Sequence, residues 1–282
     1  MAMTIKTKKI FKFLRKNYFI SIFFAVILFT SIIIGAKTIL TKSTYVYVKV
    51  KMGQGFWWAG TLKPAIWYAS SIKKGDIKYD LLGKREVQVV EVRRYPSWSP
   101  MWATSQNDVY VTLRLKASLN KKTGEYSFNR SILSIGSPIE LQFPRTDITG
   151  TVINMSTAPL KDNYVEKIIY LVFQNGYNKD FAYRYDSIAV GGKYFDGEDY
   201  VFEVLDKWLE KNILPISNNL NGQVYEREVE TTQSIVVKVK TKLIKKENGM
   251  YYGQDYKINV NSFVPFSTDN YFFENYVVRK VE

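Results

Sequence analysis

The chain contains no cysteine and no histidine in 282 residues. Without cysteine there are no disulfides, no thiol nucleophile and no thiolate metal site. Without histidine, Ser-His-Asp catalysis and histidine-ligated zinc or iron are excluded. The chemistry left is that of carboxylate pairs, Ser-Lys dyads, tyrosine and oxygen-ligated calcium. Acid is also missing from one region. Residues 1–42 hold Lys6, Lys8, Lys9, Lys12, Arg15, Lys16, Lys37 and Lys42, and no Asp or Glu. The overall net charge of +14 is therefore lopsided. Beyond residue 42, the remaining 32 basic residues face all 26 acids, a net +6, and they form no Lys/Arg run of the kind that tracks phosphates. Nucleic acid is not an expected partner.

What is present first is a long apolar run. From Asn17 to Ala36 the sequence NYFISIFFAVILFTSIIIGA carries no charge. Twenty residues make about 30 Å of helix, the thickness of a hydrocarbon core. Six bases precede the run, which places the N-terminus in the cytoplasm and Lys37 onward outside. The run exceeds the apolar core of a cleaved signal peptide, and Ile34 suits a cleavage site poorly. The expected organisation is a basic cytoplasmic tail (1–16), a transmembrane helix (17–40) and an extracytoplasmic remainder in a single-pass membrane protein. The lipid bilayer is then a partner through residues 17–40.

After this segment, alternation dominates. Val46, Val48 and Val50 alternate with Tyr45, Tyr47 and Lys49. Ile235, Val237 and Val239 alternate with Val236, Lys238 and Lys240. Period-two patterning of β-branched residues marks half-buried strands. Asn175-Gly176, Asn221-Gly222, Asn248-Gly249 and, more weakly, Thr123-Gly124 mark hairpins. The spacing predicts one sizeable helix over Glu198–Ile213 and a short one over Pro64–Ser71.

The segment starting at Val111 aligns with the segment starting at Ile235. Lys116 meets Lys240, Gly124 meets Gly249, and Tyr126 meets Tyr251. Ile135, Ser137 and Ile139 meet Val260, Ser262 and Val264. Upstream, Tyr45–Lys51 matches Glu166–Phe173, and Ile72–Asp76 matches Ser187–Lys193. A shared order of strands and turns over about 50 residues predicts a duplication. The expected fold is mainly β: two tandem small β-barrel or β-sandwich domains with few short helices, over 41–156 and 157–282.

The first copy carries I-K-K-G-D at Ile72–Asp76, Glu91-Val92, S-I-G-S-P-I-E-L at Ser134–Leu141 and G-T-V-I-N at Gly150–Asn154, all behind a basic tail and an apolar helix. Over residues 1–156 this resembles a bacterial family of uncharacterised, membrane-anchored domains of unknown function. The resemblance implies location and fold, and carries no catalytic residues.

Five of the six tryptophans lie between positions 57 and 102. Phe56, Trp57 and Trp58 sit in a loop flanked by Gly53 and Gly60, and Trp98 and Trp102 lie in a second aromatic stretch. Large rings on a glycine-flanked loop suit a ligand or partner surface, whereas rings turned inward would fill a core. Tyr95–Met101 resembles the serine-methionine motif of signal peptidases, but Pro100 separates Ser99 from Met101. Asp196-Gly197-Glu198-Asp199 lacks the alternate spacing of a calcium loop and reads as a turn capping the helix expected after it. No catalytic residue, metal site or cofactor is predicted.

The expected function is a non-catalytic, membrane-anchored interaction or scaffold module of the bacterial envelope. Its partner would be an envelope protein or polymer. The alternatives are an accessory subunit of a transport or secretion complex and a carboxylate-dependent surface hydrolase.

Overall fold

A computed structural model describes residues 18–40, 43–53, 63–97, 107–174, 181–211 and 233–282. Three helices occur among them: α1 (Tyr18–Leu40), α2 (Ile66–Ser71) and α3 (Phe181–Ser187). The strands of the first half are β1 (Ser43–Met52), β2 (Ile77–Tyr79), β3 (Arg85–Pro96), β4 (Asn107–Leu119), β5 (Tyr126–Phe128), β6 (Ser131–Leu133), β7 (Pro138–Gln142) and β8 (Asp147–Ser156). Those of the second half are β9 (Tyr164–Gln174), β10 (Lys193–Phe195), β11 (Tyr200–Lys211), β12 (Gln233–Lys246), β13 (Gly249–Tyr252), β14 (Tyr256–Lys257) and β15 (Val277–Val281). The mainly β class is therefore observed.

Contacts divide the chain into two compact units, 1–45 with 116–133, and 46–115 with 134–282. The first unit holds α1 and the hairpin 116–133. Helix α1 forms where the uncharged run predicts it, and Phe19, Phe23, Phe24, Leu28 and Phe29 are exposed on it. Its hydroxyls turn inward: Ser31 Oγ donates to Ile27 O at 2.8 Å, and Thr30 Oγ1 donates to Val26 O. Among the described residues no helix is long and apolar enough to cross a membrane. In the hairpin, the Gly124 N–H closes the Thr123-Gly124 turn on Asn120 O at 2.8 Å.

The second unit holds the second sheet and the greater part of the first. The first sheet runs β2-β3-β4-β1-β8-β7, with β5 on β4 and β6 on β5. The second runs β10-β11-β12-β9-β15, with β13 on β12 and β14 on β13. The two orders correspond strand for strand, β1 with β9, β3 with β11, β4 with β12 and β8 with β15. Both long hairpins carry a bulge at the same place, between Val89 and Glu91 and between Val204 and Asp206.

The turns correspond as well. Ser137 Oγ donates to Ser134 O at 2.7 Å and accepts the Ser134 N–H at 3.2 Å. Ser262 Oγ does the same to Asn259, at 2.6 and 3.2 Å. The residue before each serine, Gly136 at φ +90° or Asn261 at φ +67°, is left-handed, which glycine and asparagine tolerate best. From there Gly136 N–H bonds Val152 O at 2.8 Å, and Asn261 N–H bonds Val278 O at 2.7 Å. One serine thus fixes a turn against the last long strand in each half.

The alternation predicted for the strands is observed. Val46, Val48 and Val50 of β1 are buried, as are Ile235, Val237 and Val239 of β12. The helix expected over Glu198–Ile213 is instead strand β11. Val201, Val204, Leu205, Trp208 and Leu209 have helical spacing because the bulge interrupts the period-two pattern. Pairing with β12 over nine residue pairs overrides the local signal. The short helix expected over Pro64–Ser71 forms as α2.

Candidate functional site

The aromatic residues singled out from the sequence, Phe56, Trp57, Trp58, Trp98 and Trp102, lie outside the described residues. So do Ser99 and Met101. Trp67 is described: it stands on α2, 77% exposed, its ring 5.8 Å from Tyr68. The described residues bring together a different set, a polar seam where the first sheet meets the second.

Its centre is Arg93 of β3. Its Nη1 meets Asp196 Oδ2 at 2.6 Å, its Nε meets Glu91 Oε1 at 2.6 Å, and its Nη2 meets Asp199 Oδ2 at 3.2 Å. The Tyr164 ring covers the guanidinium at 4.8 Å. Tyr95 OH donates to Asp196 Oδ2 at 3.0 Å. The Asp196 side chain is fully buried, so these donors replace its water. Burial pulls the Arg93 pKa down, but the charge of Asp196 and then of its other neighbours outweighs this and leaves it raised. Tyr95 is raised by burial and by Asp196.

The turn that presents Asp196 is shaped by that residue. Its Oδ1 accepts the N–H groups of Glu198 and Asp199, both at 2.9 Å. It leads into a strand, which corrects the expectation that it caps a helix. Gly197 is left-handed at φ +112°, and a Cβ there would stand 2.5 Å from Val92 O. The turn lies directly on the edge of β3: Arg94 N–H donates to Asp196 O at 2.7 Å, and Val92 N–H to Glu198 Oε1 at 3.4 Å. Asp199 also pairs with Lys242 at 3.0 Å. Lys242 first, then Arg93, hold its carboxyl below the usual range.

A second part of the seam hangs on β1. Lys49, almost fully buried, meets Asp162 at 2.6 Å, and Gln254 Nε2 and Tyr164 OH donate to the same carboxylate. Lys51 pairs with Asp255 and lies 3.6 Å from Asp108. Burial lowers the Lys51 pKa, but the bond to Asp255 and the charge of Asp108 leave it raised. Tyr256 OH donates to Asp108 at 2.7 Å, and Tyr110 OH to Asp255 at 2.8 Å. Between the two parts, Tyr95 and Tyr110 of the first sheet enter the apolar cluster of the second, with Tyr252 edge-on to Tyr95 at 5.1 Å.

Two grooves border the seam. One, of about 400 Å³, is lined by Tyr47, Lys74, Glu91, Arg93, Leu160, Tyr164 and Glu198, among others. The other, of about 480 Å³, is lined by Asn154, Lys161, Asp162, Lys246, Gln254 and Asp255, among others. Burial lowers the Lys246 pKa. The carboxylates with displaced pKa, Asp199, Glu210 and Glu282, are all lowered, each first by a hydrogen bond from a cation. Among the described residues no group of three or more carboxylates is placed to hold a metal ion.

Sequence reasoning missed the seam. Its acids are far apart in the chain, and Asp196-Gly197 reads as a simple turn. The available signal was Lys49 and Lys51 on a valine-alternating strand, a charged face that needed partners. No protein-family model, curated protein or solved structure matches this chain.

Proposed function

We propose that the chain is a non-catalytic interaction module of the bacterial envelope, held at the outer face of the membrane by α1. The two halves are copies of one small β unit, of the membrane-anchored kind that residues 1–156 resemble, joined into one body by the seam. The observation that carries this reading is that the seam's buried charges are committed to one another. Arg93, Asp196, Lys49 and Asp162 each meet an opposite charge within 2.6 Å. A general acid needs a carboxyl raised toward neutrality, and the displaced carboxyls here move the other way. Such chemistry suits a fixed surface more than turnover. The inward-turned hydroxyls of Thr30 and Ser31 leave α1 with an apolar exterior, which favours lipid around it.

The contact surface is assigned to the Phe56–Trp58 loop with Trp98 and Trp102, and the partner is an envelope protein or polymer. The test is crosslinking of the full-length protein in its native membrane, beside Trp57→Ala/Trp58→Ala. A partner captured by the parent protein and lost from the double variant is the expected result. Equal capture by both moves the contact surface elsewhere. Capture of nothing by either, with no binding of wall glycans or lipids, ends the proposal.

A further inference from the structure

One of the two grooves beside the seam holds more positive charge than its own acids balance. Its volume of about 480 Å³ lies in the range of small-ligand sites. Four pieces of chain build it: the end of β8 at 153–154, the link at 161–163, the end of β12 at 244–246 and the turn at 254–255 between β13 and β14. The Lys245 N–H donates to Asn163 O at 2.8 Å, which ties the link to β12. Lys246 Nζ donates to Gln254 O at 2.7 Å, which ties the turn to β12 as well.

The two carboxylates of the groove are already matched by lysines that do not line it. Asp162 pairs with Lys49 at 2.6 Å. Asp255 and Asp108 share Lys51, and Asp108 also meets Lys63 at 3.0 Å. Three acids thus face three lysines. Lys161, Lys245 and Lys246, which do line the groove, are left over. All three are exposed, and among the described residues none of them has a carboxylate within ion-pair distance. Burial is the largest influence on Lys246 and lowers its pKa, although Asp255 and Asp162 pull the other way. An ammonium in that position gains from a nearby anion.

The remaining polar groups narrow the ligand. Asn154 Oδ1 accepts the Met155 N–H at 2.8 Å, which leaves its Nδ2 to donate, and Asn163 supplies a second amide. Three ammonium groups and two amides offer more donors than one carboxylate accepts. No arginine is among the lining residues to grip a carboxylate as a fork, whereas lysine suits phosphate as a point charge. Asp162 and Asp255 take their donors on Oδ2. Among the described residues neither Oδ1 has a hydrogen bond, so two acceptors remain for hydroxyls. Ile153 and Ile244 add an apolar stretch for carbon.

We infer that this groove binds a phosphate carried on a small polyol, of the glycerol phosphate kind, with Lys161, Lys245 and Lys246 holding the phosphate and Asp162 and Asp255 the hydroxyls. The site goes beyond the contact surface assigned above, since none of its residues belongs to the tryptophan stretches. The same chemical group exists as a free molecule and as a lipid headgroup.

Lysine acetylation of the full-length protein in detergent, read peptide by peptide by mass spectrometry, tests the site. Glycerol 3-phosphate at ten times its Kd is expected to slow acetylation of Lys161, Lys245 and Lys246 about tenfold. Lys84, exposed just before β3, is expected to react at an unchanged rate. Inorganic phosphate brings no polyol to the carboxylates, so equal protection is expected only at about tenfold higher concentration. Lys161→Gln, at an exposed side chain, is expected to weaken protection of Lys246 about tenfold while near-ultraviolet circular dichroism stays that of the parent. Equal slowing of Lys84, protection unchanged in Lys161→Gln, or no protection at any concentration overturns the proposal. Equal potency of inorganic phosphate overturns the polyol assignment. The source is read in nanodiscs without added ligand. Protection of the three lysines in phosphatidylglycerol but not in phosphatidylcholine assigns the headgroup, and no protection in either, beside protection by the soluble probe, assigns the free molecule.

Discussion

Arg93 and Asp196 stand 103 positions apart in the chain and meet at 2.6 Å, with the aspartate side chain completely shielded from water. An ion pair in that setting is costly to break from one side, because the surviving charge stays buried. Asp196→Ala is expected to lower unfolding stability by about 3–5 kcal/mol. The paired replacement Arg93→Met/Asp196→Leu is expected to recover most of that. Urea unfolding of the full chain in detergent measures both; a single variant as stable as the parent would show that the pair is not what holds this turn.

Gly197→Ala acts on the same contact without touching a charge. The left-handed backbone and the 2.5 Å approach to Val92 O leave no room for a methyl. A loss of about 1–3 kcal/mol is expected. Faster amide exchange at Arg94, whose N–H the turn caps, would accompany it.

Seven tyrosines, at 68, 95, 110, 164, 194, 252 and 276, are raised above 10.0, in each case first by burial. A raised group supports the fold fully below its unfolded value and loses that support as pH climbs toward its folded value. Lys51, raised above 10.5, adds in the same direction. Stability is therefore expected to fall steeply above about pH 10. Tyrosinate absorbance should rise in one step together with the loss of circular dichroism. Smooth titration of all the tyrosines in a folded chain would contradict their burial.

At the acid end the sign reverses. Asp199 lies below its ordinary 3.8 because Lys242, and after it Arg93, donate to it. Its contribution is present above that value and disappears as pH falls through the lower, folded-state pKa. Asp199→Asn is expected to flatten the acid limb of the stability curve and leave the alkaline limb unchanged. The effect is modest, because this carboxylate is 41% exposed.

The sheets were legible in the sequence wherever alternation was unbroken. Val46, Val48 and Val50, and Ile235, Val237 and Val239, are buried as their spacing required. The alignment of Ser137 with Ser262 picked out two turns with the same hydrogen bonds. Where a bulge shifts the alternation, in β11, the same reasoning produced a helix. The seam was illegible for another reason. Nothing local to Arg93 or Lys49 names Asp196 or Asp162, since those partners are set by the packing of one sheet on the other. The tryptophan loops were conspicuous in composition, yet the described residues do not include them.

Strand β1 has a different partner on each side: valines for the first sheet's core, and Lys49 and Lys51 for acids of the seam. Were it to slip by one residue, three valines would face carboxylates and two ammonium groups would enter an apolar interior. A strand in an ordinary half-exposed sheet loses only its buried side in such an error. Here both sides would be wrong together. The chain thus proofreads the placement of its first strand twice, and the second reading is possible only once residues more than 100 positions later have folded against it.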